Sequence, residues 1–282
     1  MRTLSSVPRL AVLSLGLLFV ASAGAAEEMQ LVETINAYRS QVQPCADQSS
    51  EPLPPLAVES RLVLPAGDVD WRQALERSGY PMVSVSAISL SGPKDAQAAM
   101  TALQESFCQV VLDPQFVDIG VNRAGDDWRI VLARPLLEGR LGDWQTEGQR
   151  LLQLINTARA QARQCGDESF ASTTPLTWNA ALGSAAETHS RAMANGNFFS
   201  HRSSDGLTPS DRAELAGYSG QQIGENIAAG LDTARKVIDG WLASPSHCAS
   251  LMNPQFSDLG AAYAVDPQSD AGIYWTAVFG TP

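Results

Sequence analysis

Pro254-Gln255-Phe256-Ser257-Asp258-Leu259-Gly260 follows Cys248 by six residues, and the chain writes almost the same phrase once before. There it reads Pro114-Gln115-Phe116-Val117-Asp118-Ile119-Gly120, six residues after Cys108. A repeated segment with matched spacing to a cysteine points to an internal repeat, which has to be read before individual elements are assigned. Working outward, Ile35-Asn36, Arg39 and Cys45 stand 120 residues ahead of Ile155-Asn156, Arg159 and Cys165. The same offset carries Pro55-Leu56 and Leu62 onto Pro175-Leu176 and Leu182. Each copy therefore holds one early and one late cysteine. Four cysteines allow three pairings, and the repeat selects Cys45 with Cys108 and Cys165 with Cys248.

The copies are unequal. Leu62 and Gly79 are 17 residues apart, whereas Leu182 and Gly217 are 35 apart, so the first copy lacks about 18 residues present in the second. That extra stretch contains His189 and His201. His247 precedes Cys248 where the first copy has Phe107, and Glu225 faces Ala87. All three histidines of the chain thus fall in the second copy.

Periodicity gives an α+β layout. In the second copy helices are expected over 147–164 with Gly166 as a stop, over 180–194 with Asn179 as N-cap and Gly196 following, and over 233–243 with Asp232 as cap and Pro245 as terminator. A hairpin is expected over 259–265 and 273–279. In the first copy the same reading gives helices over 28–42 and 94–107 and a hairpin over 117–134. Trp241, Phe198 and Phe199 read as core.

The 282 residues are 44% apolar and 17% charged, with a formal charge of −11, which describes ordinary globular protein and gives no electrostatic footprint for nucleic acid. Arg2 and Arg9 flank the start of an apolar run, Leu10 to Ala21, that leads into Ser22-Ala23-Gly24-Ala25-Ala26. This reads as a secretory signal peptide over residues 1–26, because the run is too short to cross a bilayer, which takes about 20 apolar residues. The expected product is exported to the periplasm or the medium, where paired cysteines persist.

The motifs INTAR (155–159), PLTWNAAL (175–182), AAETHSRAMA (185–194), FFSH (198–201), GYSGQQIGENIAAG (217–230), GWLASPSHC (240–248) and IYWTAVFG (273–280) resemble the CAP superfamily. This SCP-like family covers cysteine-rich secretory proteins, antigen 5 and plant pathogenesis-related proteins, and the likeness is closest to its bacterial secreted branch. The resemblance implies an α/β/α sandwich over 149–282; the repeat makes residues 27–136 a degenerate CAP-like copy, and Gly139, Gly142 and Gly148 mark 137–148 as the linker. The resemblance also implies a cleft of histidines and acidic residues that holds zinc or another divalent metal. The matching positions are His201, Glu225 and His247, with His189 as a further candidate ligand. Many family members carry His-Tyr-Thr-Gln on the last strand, where this chain reads Tyr274-Trp275-Thr276-Ala277.

Two imidazoles and a carboxylate suit Zn²⁺ with an open position. The bland readings are a hydrogen-bonded core histidine for His189 and turn caps for His201 and Glu225. Ser200, Ser244 and Ser246 lie near histidines, but no Gly-x-Ser-x-Gly elbow accompanies them. The leading expectation is a non-enzymatic binding module for a small ligand, lipid or envelope component. The alternative is a metal-dependent hydrolase of peptides or cell-envelope polymers, with Glu225 as general base.

Overall fold

The computed structural model describes residues 23–137 and 141–282. The signal-peptide reading falls on residues 1–26, of which 1–22 lie outside the described residues. The first half runs α1 (Ala23–Arg39), β1 (Pro44–Cys45), β2 (Gln48–Ser49), β3 (Ala57–Val58), α2 (Trp71–Ser78), β4 (Met82–Ser91), α3 (Ala96–Val111), β5 (Asp118–Ala124) and β6 (Asp127–Pro135). The second half runs α4 (Trp144–Arg159), β7 (Arg163–Cys165), β8 (Glu168–Phe170), β9 (Thr177–Trp178), α5 (Ala180–Gly196), α6 (Pro209–Leu215), β10 (Gln222–Ala229), α7 (Ala234–Ala243), α8 (Pro245–Met252), β11 (Asp258–Val265) and β12 (Ile273–Thr281).

The second half is an α/β/α sandwich. Its sheet runs β10-β12-β11-β9, antiparallel except for the short parallel pair of β9 and β11. Strand alternation sends Ile273, Trp275, Ala277 and Phe279 to one face, where they pack with α4, α7 and α8. Val278 and Tyr274 face the other way, into the clusters built with α5 and α6. Leu182, Ala186, His189 and Met193, three or four residues apart on α5, are all fully buried. Glycine lets α5 approach this closely, since a Cβ on Gly260 would lie 1.9 Å from the Gly183 nitrogen.

The first half carries the sheet order β3-β5-β6-β4, again with one short parallel pair. α1 and α3 cover one face with Leu31, Ile35, Met100 and Leu103. Among the described residues its other face has no long helix and is covered by the 3₁₀ turn Ser60–Leu62 and α2. In the second half α5 covers the corresponding face of the sheet.

Buried side chains repeat at equivalent places. Asn36 donates to the Leu56 carbonyl and accepts from its N–H, at 3.1 and 2.8 Å, and Asn156 does the same with Leu176 at 2.9 and 2.7 Å. Arg39 donates to the carbonyls of Val111, Asp113 and Phe116, and Arg159 to those of Leu251, Asn253 and Phe256. The two disulfides are Cys45–Cys108 and Cys165–Cys248, the expected pairs, closing 63 and 83 residues.

Several boundaries differ from the sequence reading. α4 begins at Trp144, inside the stretch read as linker, because Asp143 caps it by accepting from the Thr146 N–H. It ends at Arg159, and Gly166 (φ +59°) turns the β7–β8 hairpin instead of stopping a helix. α5 runs through Gly196 and is capped by Asn197 in the left-handed region (φ 49°). Asn179 caps its start as expected. Thr233, not Asp232, caps α7. Pro245 ends α7 and also opens α8 as its first residue, a position where the missing N–H is harmless. Trp241 is core, but Phe198 and Phe199 are half-buried and line a cavity of about 540 Å³ between the halves.

The halves meet directly. The buried Arg134 guanidinium on β6 donates to the Ser269 carbonyl at 2.8 Å and to that of Asp270, in the β11–β12 turn. Gly230 faces Val117, where a Cβ would come within 2.8 Å of the valine side chain.

Candidate functional site

β10 presents Glu225 at the centre of the candidate site, with its side chain 1% exposed. Its Oε1 accepts from His201 Nδ1 at 2.8 Å and its Oε2 from Arg212 Nη2 at 2.6 Å. A carboxylate this deeply buried is tolerable because both oxygens meet charged or polar donors. Arg212, on α6, also donates to Ser203 Oγ at 2.9 Å and to the Leu207 carbonyl at 3.0 Å. α6 is placed for this by its capping box, in which Thr208 and Asp211 bond reciprocally.

His189 sits behind this pair. The Ser200 carbonyl can only accept, so His189 Nε2–H donates to it at 2.9 Å, and Nδ1 of the neutral ring accepts from Ser203 Oγ at 3.2 Å. Both ring nitrogens are therefore used. Burial pushes the imidazole below its ordinary pKa, with the Arg212 charge adding to the shift and Glu225 opposing it. His189 fixes the 200–203 loop as a neutral core histidine.

His201 and His247 differ from it. The His201 side chain is 31% exposed, and its Nε2 has no hydrogen-bond partner among the described residues. Burial favours its neutral form, but the hydrogen bond and charge of Glu225, together with the charge of Glu51, outweigh this and raise its pKa. His247 lies on α8, buried at 3% exposure, with Nδ1 2.9 Å from Ser244 Oγ and Nε2 without a partner among the described residues. Asn226, next to Glu225, holds the backbone there by donating to the His247 carbonyl at 3.1 Å. Burial, with the His201 charge adding to it, pushes His247 down to about 3. It is neutral at physiological pH, the form that offers a lone pair.

The His247 shift predicts a pH effect on stability. Its folded pKa lies below the ordinary 6.5, so its contribution is complete above that value and is lost as pH falls toward 3. Between pH 6.5 and 5 the loss is about 2 kcal/mol, at 1.36 kcal/mol per unit. Urea unfolding of wild type and His247→Gln with a chelator present checks this; the variant should lose about 2 kcal/mol less over that interval.

The structure thus brings His201, Glu225 and His189 together, with His247 close enough to sense the His201 charge. No group of three or more histidine, cysteine or acidic side chains able to hold a metal occurs among the described residues. Sequence reasoning missed two contributors. Arg212 gave no signal beyond its place on a capped helix. Glu51, from the first half, accepts from Ser200 Oγ at 2.9 Å and from the His201 N–H at 3.2 Å; its one trace in the sequence is that the matching position of the second copy is Ala171.

Comparisons with known proteins agree with the sequence motifs. The chain is 32% identical over 105 residues to the uncharacterized protein YkwD of Bacillus subtilis, covering 37% of this chain and 39% of that one. It is 35% identical over 85 residues to the uncharacterized membrane protein YlbC of the same organism, covering 30% and 25%. It therefore spans about two fifths and a quarter of the lengths of these relatives. Among solved structures, an extracellular protein containing an SCP domain from Bacillus anthracis aligns with a TM-score of 0.43 at 19% identity, covering 76% of this chain and 72% of that one. Residues 152–279, within the second half of the chain, match the family model CAP, described as the cysteine-rich secretory protein family.

Proposed function

We propose that this is an exported binding protein whose CAP domain takes a divalent metal or a small ligand at His201 and His247, without turnover. The observation that carries the reading is the state of Glu225. Both of its oxygens are committed, to His201 and to Arg212, so accepting a proton from water would break a buried ion pair. That argues against Glu225 as a general base, and with it against the hydrolase alternative.

The donors on which the metal reading rests are two imidazoles. Nε2 of His201 and Nε2 of His247 are the uncommitted donors of the expected set, and Glu225 stands behind His201 as the carboxylate that orients a ligating imidazole. His189 has both ring nitrogens engaged, and each Glu225 oxygen already accepts one hydrogen bond. A zinc ion there would supply a Lewis-acid contact for an anionic or carbonyl-bearing ligand. Because ligation needs a deprotonated His201, affinity rises with pH through its raised pKa.

The first half is read as a degenerate copy of the domain. The matching sheet order and the paired Asn36/Asn156 and Arg39/Arg159 bonds support this. Both cysteine pairs being closed supports export to an oxidising compartment. The ligand class proposed with it is a small molecule, lipid or envelope component, and nucleic acid is disfavoured by the charge of −11.

Zinc titration by calorimetry of the mature protein tests the site. Wild type is expected to bind, and His201→Ala, which truncates a partly exposed side chain, is expected to lose binding while staying folded. No heat of binding in wild type, or unchanged binding in His201→Ala, would sink the proposal.

A further inference from the structure

Among the described residues, both hydrogen bonds of the Glu51 side chain go to the other half of the chain. Oε1 accepts from Ser200 Oγ at 2.9 Å and from the backbone N–H of His201 at 3.2 Å. Glu51 makes no ion pair there, so no arginine or lysine explains why a half-buried carboxylate stands at this place.

The fold does not need it. Leu53 N–H donates to the Arg39 carbonyl at 2.8 Å, and Thr173 N–H donates to the Arg159 carbonyl at 2.9 Å. These equivalent bonds put Glu51 where the second half has Ala171, and that half forms the same frame with a methyl group.

Glu51 is also held stiffly. Leu53, two residues on, is 2% exposed, and Pro52, Pro54 and Pro55 fix their own φ angles. On the other side, Ser50 N–H donates to the Gln43 carbonyl at 2.9 Å, in the hairpin that the Cys45–Cys108 disulfide ties to α3. A carboxylate presented on such an arm contributes its hydrogen bonds with little further loss of conformational freedom.

Its partners are the segment that most needs placing. Residues 198–203 leave α5 without regular structure, anchored from behind by His189 on the Ser200 carbonyl. Glu51 supplies the acceptor in front.

We propose that Glu51 is a positioning residue for His201, so that the ligand site of the second half is assembled from both halves of the chain. The ligand side of this rests on the proposed function; the loop contact does not. Without Glu51 the His201 N–H and the Ser200 hydroxyl lose their acceptor, and displacement of a binding group by about 1 Å is enough to weaken a site substantially.

The test uses the full mature chain as wild type, Glu51→Ala and Glu51→Gln, with two readouts. Hydrogen exchange at the His201 amide is expected to quicken about tenfold in Glu51→Ala, the loss of one modest hydrogen bond. In Glu51→Gln, whose Oε1 still accepts both bonds, it should stay near the wild-type rate. Zn²⁺ affinity by calorimetry should fall about tenfold in Glu51→Ala and recover in Glu51→Gln. If wild type takes up no Zn²⁺, the proposed function fails and the exchange rates alone decide this inference. Unchanged exchange in Glu51→Ala overturns it, as does wild-type Zn²⁺ affinity in that variant. Equal loss in both variants also overturns it, because charge and not orientation would then be at work.

Discussion

Arg159→Met is expected to lower the unfolding free energy by about 4–6 kcal/mol, since several buried carbonyls lose a charged donor at about 1–3 kcal/mol each. The guanidinium is 0% exposed and donates to the carbonyls of Thr174, Leu251, Asn253 and Phe256 at 2.8, 2.7, 3.0 and 3.2 Å. One of these carbonyls is on the segment leading into β9, and the others are on the last turn of α8 and the stretch between α8 and β11. Methionine matches the length of the stem but donates nothing, so water would have to enter or the segments would part. A domain of this size has about 5–15 kcal/mol in hand, and the variant would be near its limit. Urea denaturation followed by tryptophan fluorescence checks this, because Trp178, Trp241 and Trp275 lie in the same half. A loss under about 1 kcal/mol would show that the carbonyls find other donors.

Glu225→Gln is expected to cost about 3–5 kcal/mol, the range for removing one member of a buried ion pair. The substitution keeps shape and removes charge, leaving Arg212, whose side chain is 3% exposed, without its anion. The double variant Arg212→Met, Glu225→Gln should be more stable than Glu225→Gln alone, since the stranded charge is gone. A double-mutant cycle reads the coupling directly. The experiment also bears on function, because neutralising a general base need cost little stability, whereas neutralising the centre of a buried ion pair costs several kcal/mol. If Glu225→Gln proved as stable as wild type, the carboxylate would be free for chemistry and the hydrolase reading would return.

Much of this molecule could be read from spacing. The two PQF-x-D-x-G phrases and their cysteines led to both disulfides, and alternation over 259–279 led to the β11–β12 hairpin, because these signals are local and strongly periodic. α8 was hidden because Pro245 does two things at once, stopping one helix and starting another. Gly166 was read as a helix stop because a left-handed glycine serves a hairpin equally well. The site was legible as residue types and not as roles. His201, Glu225 and His247 could be picked out, but whether Glu225 has a free oxygen depends on Arg212, thirteen residues away on another element. Glu51 lay further out of reach, since a contact spanning 149 residues between halves leaves no periodic trace.

The disulfides are nested in neither direction. Counting from the amino end, the first cysteine joins the second and the third joins the fourth. For a chain delivered amino end first into an oxidising compartment, each bond can close between the two thiols most recently presented, before the next pair emerges. Maturation by this order needs no mispaired bond to be undone, and the stapled first half, with Glu51 already on its rigid arm, is waiting when the loop bearing His201 arrives.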